Sequence, residues 1–487
     1  MCGRPPGQGL EFMGTSEPVE PDHALSKPPP VAPVGAQALP RGPAMPGIAQ
    51  LMMLFLRPTE FLDRCAARYG DTFTLKIPGT PPFIQTSDPA LIEVIFKGDP
   101  DLFLGGKANN GLKPVVGENS LLVLDGKRHR RDRKLIMPTF LGERMHAYGS
   151  VIRDIVNAAL DRWPVGKPFA VHEETQQIML EVILRVIFGL EDARTIAQFR
   201  HHVHQVLKLA LFLFPNGEGK PAAEGFARAV GKAFPSLDVF ASLKAIDDII
   251  YQEIQDRRSQ DISGRQDVLS LMMQSHYDDG SVMTPQELRD ELMTLLMAGH
   301  ETSATIAAWC VYHLCRHPDA MGKLREEIAA HTVDGVLPLA KINELKFLDA
   351  VVKETMRITP VFSLVARVLK EPQTIGGTTY PANVVLSPNI YGTHHRADLW
   401  GDPKVFRPER FLEERVNPFH YFPFGGGIRK CIGTSFAYYE MKIFVSETVR
   451  RMRFDTRPGY HAKVVRRSNT LAPSQGVPII VESRLPS

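Results

Sequence analysis

Phe424-Gly425-Gly426-Gly427-Ile428-Arg429-Lys430-Cys431-Ile432-Gly433 sets one cysteine behind three consecutive glycines and just ahead of a helical run from Thr434 to Arg450. The glycines allow the φ values that close a tight loop. Backbone N–H groups at a helix start, with Arg429 and Lys430 alongside, are expected to favour a thiolate. A thiolate so presented is a nucleophile or an axial metal ligand, whereas a solitary cysteine is more often a buried packing residue. A phosphate-cradling loop fits worse, because no parallel strand leads in and the Gly-Lys-Ser/Thr ending is missing.

Outward from this loop, the chain has 487 residues, 44% of them apolar and 23% charged, with a formal charge of +3. That is enough for a large core and too little charge for wholesale nucleic-acid binding. Five scattered cysteines exclude a disulfide scaffold. Cys310 and Cys315 read as packing, and His201, His202 and His204 as surface helix residues. Residues 1–46 hold 11 prolines, predicting a disordered arm ahead of one domain over 47–487. The apolar run Ile48 to Leu56 is too short to span a membrane, so the expectation is a cytoplasmic protein without a span.

Periodicity predicts helices near 127–145, 149–161, 173–188, 192–212, 239–258, 285–316 and 318–331. Short strands are expected at 72–77 and 83–86, near 365–387, and after Arg453. The fold class is mainly α with small β-sheets. Thr284 before Pro285 caps the longest helix, which is apolar on most sides and should be central. Gly299, Glu301 and Thr302 sit at its middle. A glycine there costs roughly 1 kcal/mol against alanine, and a buried carboxylate costs more unless satisfied. A central helix interrupted at that point marks a site.

Together these segments resemble the cytochromes P-450, the haem-thiolate monooxygenases. Phe424, Gly427, Arg429, Cys431 and Gly433 match the haem-binding signature. Ala298-Gly299-His300-Glu301-Thr302 looks like the oxygen-activation motif, Glu354-Thr355-Met356-Arg357 like Glu-x-x-Arg, and Pro408-Glu409-Arg410-Phe411 like Pro-x-Arg-Phe. His129-x-x-x-Arg133 is a looser fifth match. The resemblance covers roughly residues 47–487.

It implies a single large domain with a long central helix over haem b (iron protoporphyrin IX) and Cys431 as the proximal iron ligand. Phe424 would pack against the porphyrin near the sulfur and tune the ligand, with Gly425 and Gly433 also at the cofactor. His129, Arg133, Arg367 and Arg429 would hold the propionates, with Ala298 above the ring. Gly299 would open the helix, Thr302 organise water and Glu301 relay protons; the alternative for Thr302 is a bond back to its own helix. Glu354, Arg357 and Arg410 would form a structural charge network. Other cations of 127–134, Arg130, Arg131 and Lys134 among them, would form a surface that steers an acidic donor.

The implied activity is hydroxylation or epoxidation of a lipophilic substrate (fatty acid, terpenoid, steroid or macrolide-like) with O₂. The chain after Cys431 is too short for a fused reductase, so a ferredoxin or flavodoxin with its NAD(P)H-dependent reductase would supply electrons to a monomer. By analogy the substrate pocket takes Leu295, Val361, Phe362, Leu364 and Leu471, with Leu207 to Phe214 nearby. Rival readings are a haem sensor or carrier without turnover, and a peroxide-using or rearranging variant of the fold.

Overall fold

The 32-residue helix Pro285–Arg316 begins at a complete capping box. Thr284 accepts from the Glu287 N–H while the Glu287 carboxylate accepts from the Thr284 N–H, and Pro285 stands at the first helical position. Near 1.5 Å per residue, the rod is about 48 Å long. Against it lie the helices Val171–Val182, Lys346–Ile358 and Thr434–Arg451. Leu292, Ala304, Ala307, Ala308 and Cys310 are wholly buried in the resulting core. This computed structural model describes residues 39–142, 144–213, 239–467 and 470–485, leaving aside the side chains of 207–213 and 239.

The compact unit starts at Leu39, ahead of the boundary expected at 47. Thr74 Oγ1 donates to the Pro40 carbonyl, the Thr74 N–H donates to Arg41 O, and Gln50 Nε2 donates to Pro43 and Met45 carbonyls. The rest of the expected arm, 1–38, lies outside the described residues. The apolar run forms the helix Gly47–Leu56, which buries Gln50 and Leu54 and exposes Ile48, Met52, Phe55 and Leu56. Among the described residues, no helix is long and apolar enough to cross a membrane.

Five short strands form one sheet in the order Thr72–Leu75, Phe83–Thr86, Val385–Pro388, Arg367–Leu369 and Phe103–Leu104. Pairing Arg367 with Leu386 puts its side chain at the cysteine loop, where its guanidinium donates to Gly426 O. Smaller sheets join Pro168–Ala170, Pro478–Arg484 and Met452–Thr456, and pair Val464–Arg467 with Thr470–Pro473.

Two helical expectations need correction. The helix expected over 127–145 ends at Ile136, gives way to a 3₁₀ turn over Met137–Phe140, and a new helix runs over Arg144–Leu160. Pro138 lacks the N–H that would continue the ladder. The central helix is not interrupted: it is α-helical throughout Pro285–Arg316. Gly299 instead admits a neighbour, since a Cβ there would stand 3.0 Å from Ile183 Cδ1. Ile183 opens a π turn that ends the helix Val171–Val182.

Candidate active site

The glycines of the cysteine loop are required by its geometry. Gly425 and Gly427 hold φ of +68° and +64°, and a side chain at Gly426 would enter the Phe96 ring. The Cys431 N–H donates to Phe424 O at 3.0 Å, closing the loop, and Phe424 tilts against Tyr438 with ring centres 5.2 Å apart. Gly433 is the last residue before the helix Thr434–Arg451.

Cys431 carries exposed surface, yet burial pushes its thiol pKa up, against the Gly433 N–H, Arg133, Thr434 and Lys430, which favour the thiolate. The expectation of a thiolate favoured by Arg429 is therefore corrected. Arg429 turns away to the Leu121 and Leu124 carbonyls and Asp125, and it is Arg133 that lies near the sulfur. Desolvation outweighs the nearby dipoles in the protein alone; a metal ion at the sulfur reverses that balance.

Around His129 the structure gathers cations. Burial, then Arg429, Arg133 and Arg367, press its pKa down to about 3. Arg367 is itself lowered to about 10 by burial and by Arg429. Asp125 pairs with Arg429, but Arg133 and Arg367 have no ion pair among the described residues. They donate only to the carbonyls of Lys430, Ala366 and Gly426. Arg367 is buried and Arg133 half-buried, and guanidinium groups so desolvated without an ion pair are costly, so this cluster calls for an anionic ligand.

Several other cations of the basic helix Gly126–Ile136 are already paired. Arg130 meets Asp101, Arg131 meets Asp132 and Glu287, and Lys134 meets Asp278. These pairs diminish the free positive surface expected there.

Along the central helix, Leu295, Met297, Ala298, Gly299 and Thr302 retain exposure, while Leu292 to Thr294, Leu296, His300, Glu301 and Ser303 are buried. Spacing of three and four puts Leu295, Ala298, Gly299 and Thr302 on one helix face. Ala298 is openly exposed, although alanines 304, 307 and 308 of the same helix are sealed. Thr302 Oγ1 donates to Ala298 O at 2.5 Å, the bond back to its own helix, leaving its lone pairs free.

Glu301 is buried, and its Oε2 accepts from Gln176 Nε2 at 2.6 Å. Its Oε1 has no hydrogen-bond donor among the described residues. Burial raises its pKa, while Gln176, Arg467 and Thr470 oppose the rise. His300 faces away, its Nε2 within 3.0 Å of Gln176 O.

Glu354 and Arg357 join by two bonds, of 2.6 and 2.8 Å, and Arg410 Nε donates to Glu354 Oε1 at 3.0 Å. Both guanidinium groups continue to the carbonyls of His394, Trp400, Asp402, Pro403 and Val405. This ties together the segment that leads to the cysteine loop.

Val361 O accepts from the Leu471 N–H at 2.7 Å, and Trp309 Nε1 donates to Leu471 O at 3.0 Å. Val361 and Leu471 are thus buried anchors, while Phe362 and Leu364 keep partial exposure. Leu207 to Leu213 form the end of the helix Ala193–Leu213, but their side chains and Phe214 lie outside the described residues. His201 and His202 stack edge-on, and no metal-binding group of three or more His, Cys, Asp or Glu occurs among the described residues. Cys310 is buried with its pKa pushed up to about 12, as suits packing. Sequence reasoning missed Asp125, which stands just before the basic helix, and His172, Gln176 and Arg467, which reach Glu301 from distant segments without any local motif.

The cytochrome P-450 family profile matches residues 40–476. The chain belongs to the cytochrome P-450 family. Cytochrome P-450 135B1 of Mycobacterium tuberculosis is 35% identical, over 86% of this chain and 86% of its own. Cytochrome P-450 137 of the same organism is 32% identical, over 85% of this chain and 83% of its own. Among solved structures, retinoic acid-bound cyanobacterial CYP120A1 superposes with a TM-score of 0.78 at 22% identity. It covers 92% of this chain and 100% of its own. The haem domain of cytochrome P-450DA gives 0.80 at 22%, covering 92% and 98%. The protein is thus a haem-dependent monooxygenase of P-450 type, with haem b as its cofactor and with O₂ and redox partners as the family uses them. The residues present suit that group: an exposed thiol in a glycine loop, a cation cluster in which Arg133 and Arg367 have no ion pair among the described residues, and a partly uncovered stripe on the central helix.

Proposed function

We propose that the protein inserts one oxygen atom of O₂ into a lipophilic organic molecule, by hydroxylation or epoxidation, with electrons from a ferredoxin or flavodoxin and its NAD(P)H-dependent reductase. The observation that carries this reading is the exposure of Cys431 in its glycine loop together with that of Leu295, Ala298, Gly299 and Thr302 midway along a central helix most of whose residues are buried.

Cys431 would supply the sulfur ligand to the haem iron, and Arg133, Arg367 and Arg429 the charge, with neutral His129 a hydrogen bond, for the propionates. When bound, the haem supplies reductive activation of O₂ and the oxygen transfer. The protein's share is position and protons. His129, held neutral, offers one N–H as a directional donor. Ala298 and Gly299, without bulk, leave room above the site. Thr302, its own proton given to Ala298 O, accepts from water and holds it at the helix. Glu301, one oxygen pinned by Gln176 and the other open, takes a proton from water and returns it to the site. Phe362 and Leu364 would face an apolar substrate and exclude water.

Turnover with a set of lipophilic compounds, each supplied with ferredoxin or flavodoxin, tests the reading through the ratio of product to electrons consumed. Thr302→Ala should divert electrons to peroxide while substrate binding persists. Unchanged coupling in that variant removes Thr302 from proton handling.

A further inference from the structure

Glu301 does not stand alone behind the central helix. His172 is wholly buried, and its Nε2 lies 3.7 Å from the open Oε1 of Glu301 and 3.3 Å from Thr305 Oγ1. Its Nδ1 lies 3.3 Å from Arg467 Nη1, while Arg467 Nη2 donates to Gln176 Oε1 at 3.4 Å. A guanidinium only donates, so Nδ1 must accept and the hydrogen of His172 must sit on Nε2, toward Glu301 and Thr305. Gln176 is fixed in the same way, receiving from Arg467 and donating to Glu301 Oε2. The helix Val171–Val182 contributes His172 and Gln176 to this cluster. The hairpin strands Val464–Arg467 and Thr470–Pro473 contribute Arg467 and Thr470, and the central helix His300, Glu301 and Thr305. Arg467 is its exposed member.

We propose that His172 and Arg467 are positioning residues for proton supply, Arg467 fixing the tautomer of His172 so that the dipole of its Nε2–H faces the free oxygen of Glu301 from 3.7 Å without capturing it in a hydrogen bond, and that oxygen reloads from water at the Arg467 edge. This deepens the proposed function and rests on its reading of Glu301 as a proton relay. In the reloading step an O–H bond of hydronium breaks, an O–H bond forms at Glu301 Oε1, and neutral water remains. His172 itself carries no proton across. Burial, with Arg467 and His300 nearby, holds its pKa near 3, so it stays a neutral donor. The charged group facing Glu301 is Arg467, which stabilises the carboxylate, and the titratable ones are His172 and His300.

The test is an infrared pH titration of the Glu301 carboxyl in the haem-loaded protein at rest, its band assigned by loss in Glu301→Gln. Arg467→Met, at an exposed position, should raise the midpoint by about one pH unit. His172→Phe should raise it less, and His172→Asn, which restores an N–H donor, should return it toward the parent value. The pH profile of product formed per electron should move the same way. A midpoint unmoved in both folded Arg467→Met and His172→Phe overturns the proposal. Full coupling in Glu301→Gln sinks the relay reading instead, a different failure, because it leaves the midpoints measurable in the other variants.

Discussion

Two buried carboxylates, Glu354 and Glu301, show how differently one chemical group can be held. Glu354 receives Arg357 twice, Arg410 once and the Arg407 N–H, and no trace of it is exposed. Glu301 receives one amide donor and keeps an oxygen without a hydrogen-bond donor. A carboxylate saturated with donors serves as a structural tie. One left half-satisfied is easier to protonate, which wastes stability and suits proton exchange.

The largest effect should follow from breaking the saturated site. Glu354→Gln leaves two buried guanidinium groups short of charge and should cost about 3–5 kcal/mol, read by chemical denaturation together with loss of bound haem. A stable variant would show that the backbone carbonyls alone hold Arg357 and Arg410. At the half-satisfied site, Glu301→Gln should change stability by less than about 1 kcal/mol, since it removes a poorly solvated charge. Product per electron should nevertheless fall by roughly 10²-fold. A stability loss as large as that at Glu354 would dissolve the contrast.

A third carboxylate sharpens the comparison. Glu440 is buried on the helix Thr434–Arg451, its Oε1 has no partner among the described residues, and burial lifts its pKa to about 8 despite a bond with Ser303. Between the ordinary carboxylate range and pH 8 the unfolded chain loses this proton while the folded protein keeps it. Stability therefore falls as pH rises, by up to about 1.4 kcal/mol per pH unit. Glu440→Gln should flatten that slope in denaturation measured from pH 5 to 8. An unchanged slope would mean that Glu440 is ionised in the fold. The smallest effect belongs to the exposed Arg130–Asp101 pair: Asp101→Asn should shift stability by no more than about 0.5 kcal/mol, checked by the same denaturation assay.

These contrasts also mark what could be read in advance. Glu354 and Arg357, three apart on one helix, announce their own pairing, and Thr284-Pro285 announces the start of the central helix, because both are local rules of helix geometry. The glycines before Cys431 state the loop for the same reason. The partners of Glu301 were illegible, because His172 and Arg467 approach it from segments far away in the chain. The turning of Arg429 toward Asp125 depended on a packed loop that no spacing records. Nor was the direction of the Cys431 thiol visible: helix dipole and cations are local, whereas desolvation belongs to the assembled fold. The break at Pro138 was legible in principle, but the periodic pattern on either side outweighed a single residue.

The central claim is that Cys431 serves as the axial sulfur ligand of a haem held by the cation cluster. It is tested most directly by the absorption spectrum of the reduced, carbon monoxide-bound protein. The account predicts a strongly red-shifted Soret band that is absent from Cys431→Ala and survives in Cys310→Ala. A band typical of haem with a neutral ligand, or a red-shifted band that persists without Cys431, would contradict it.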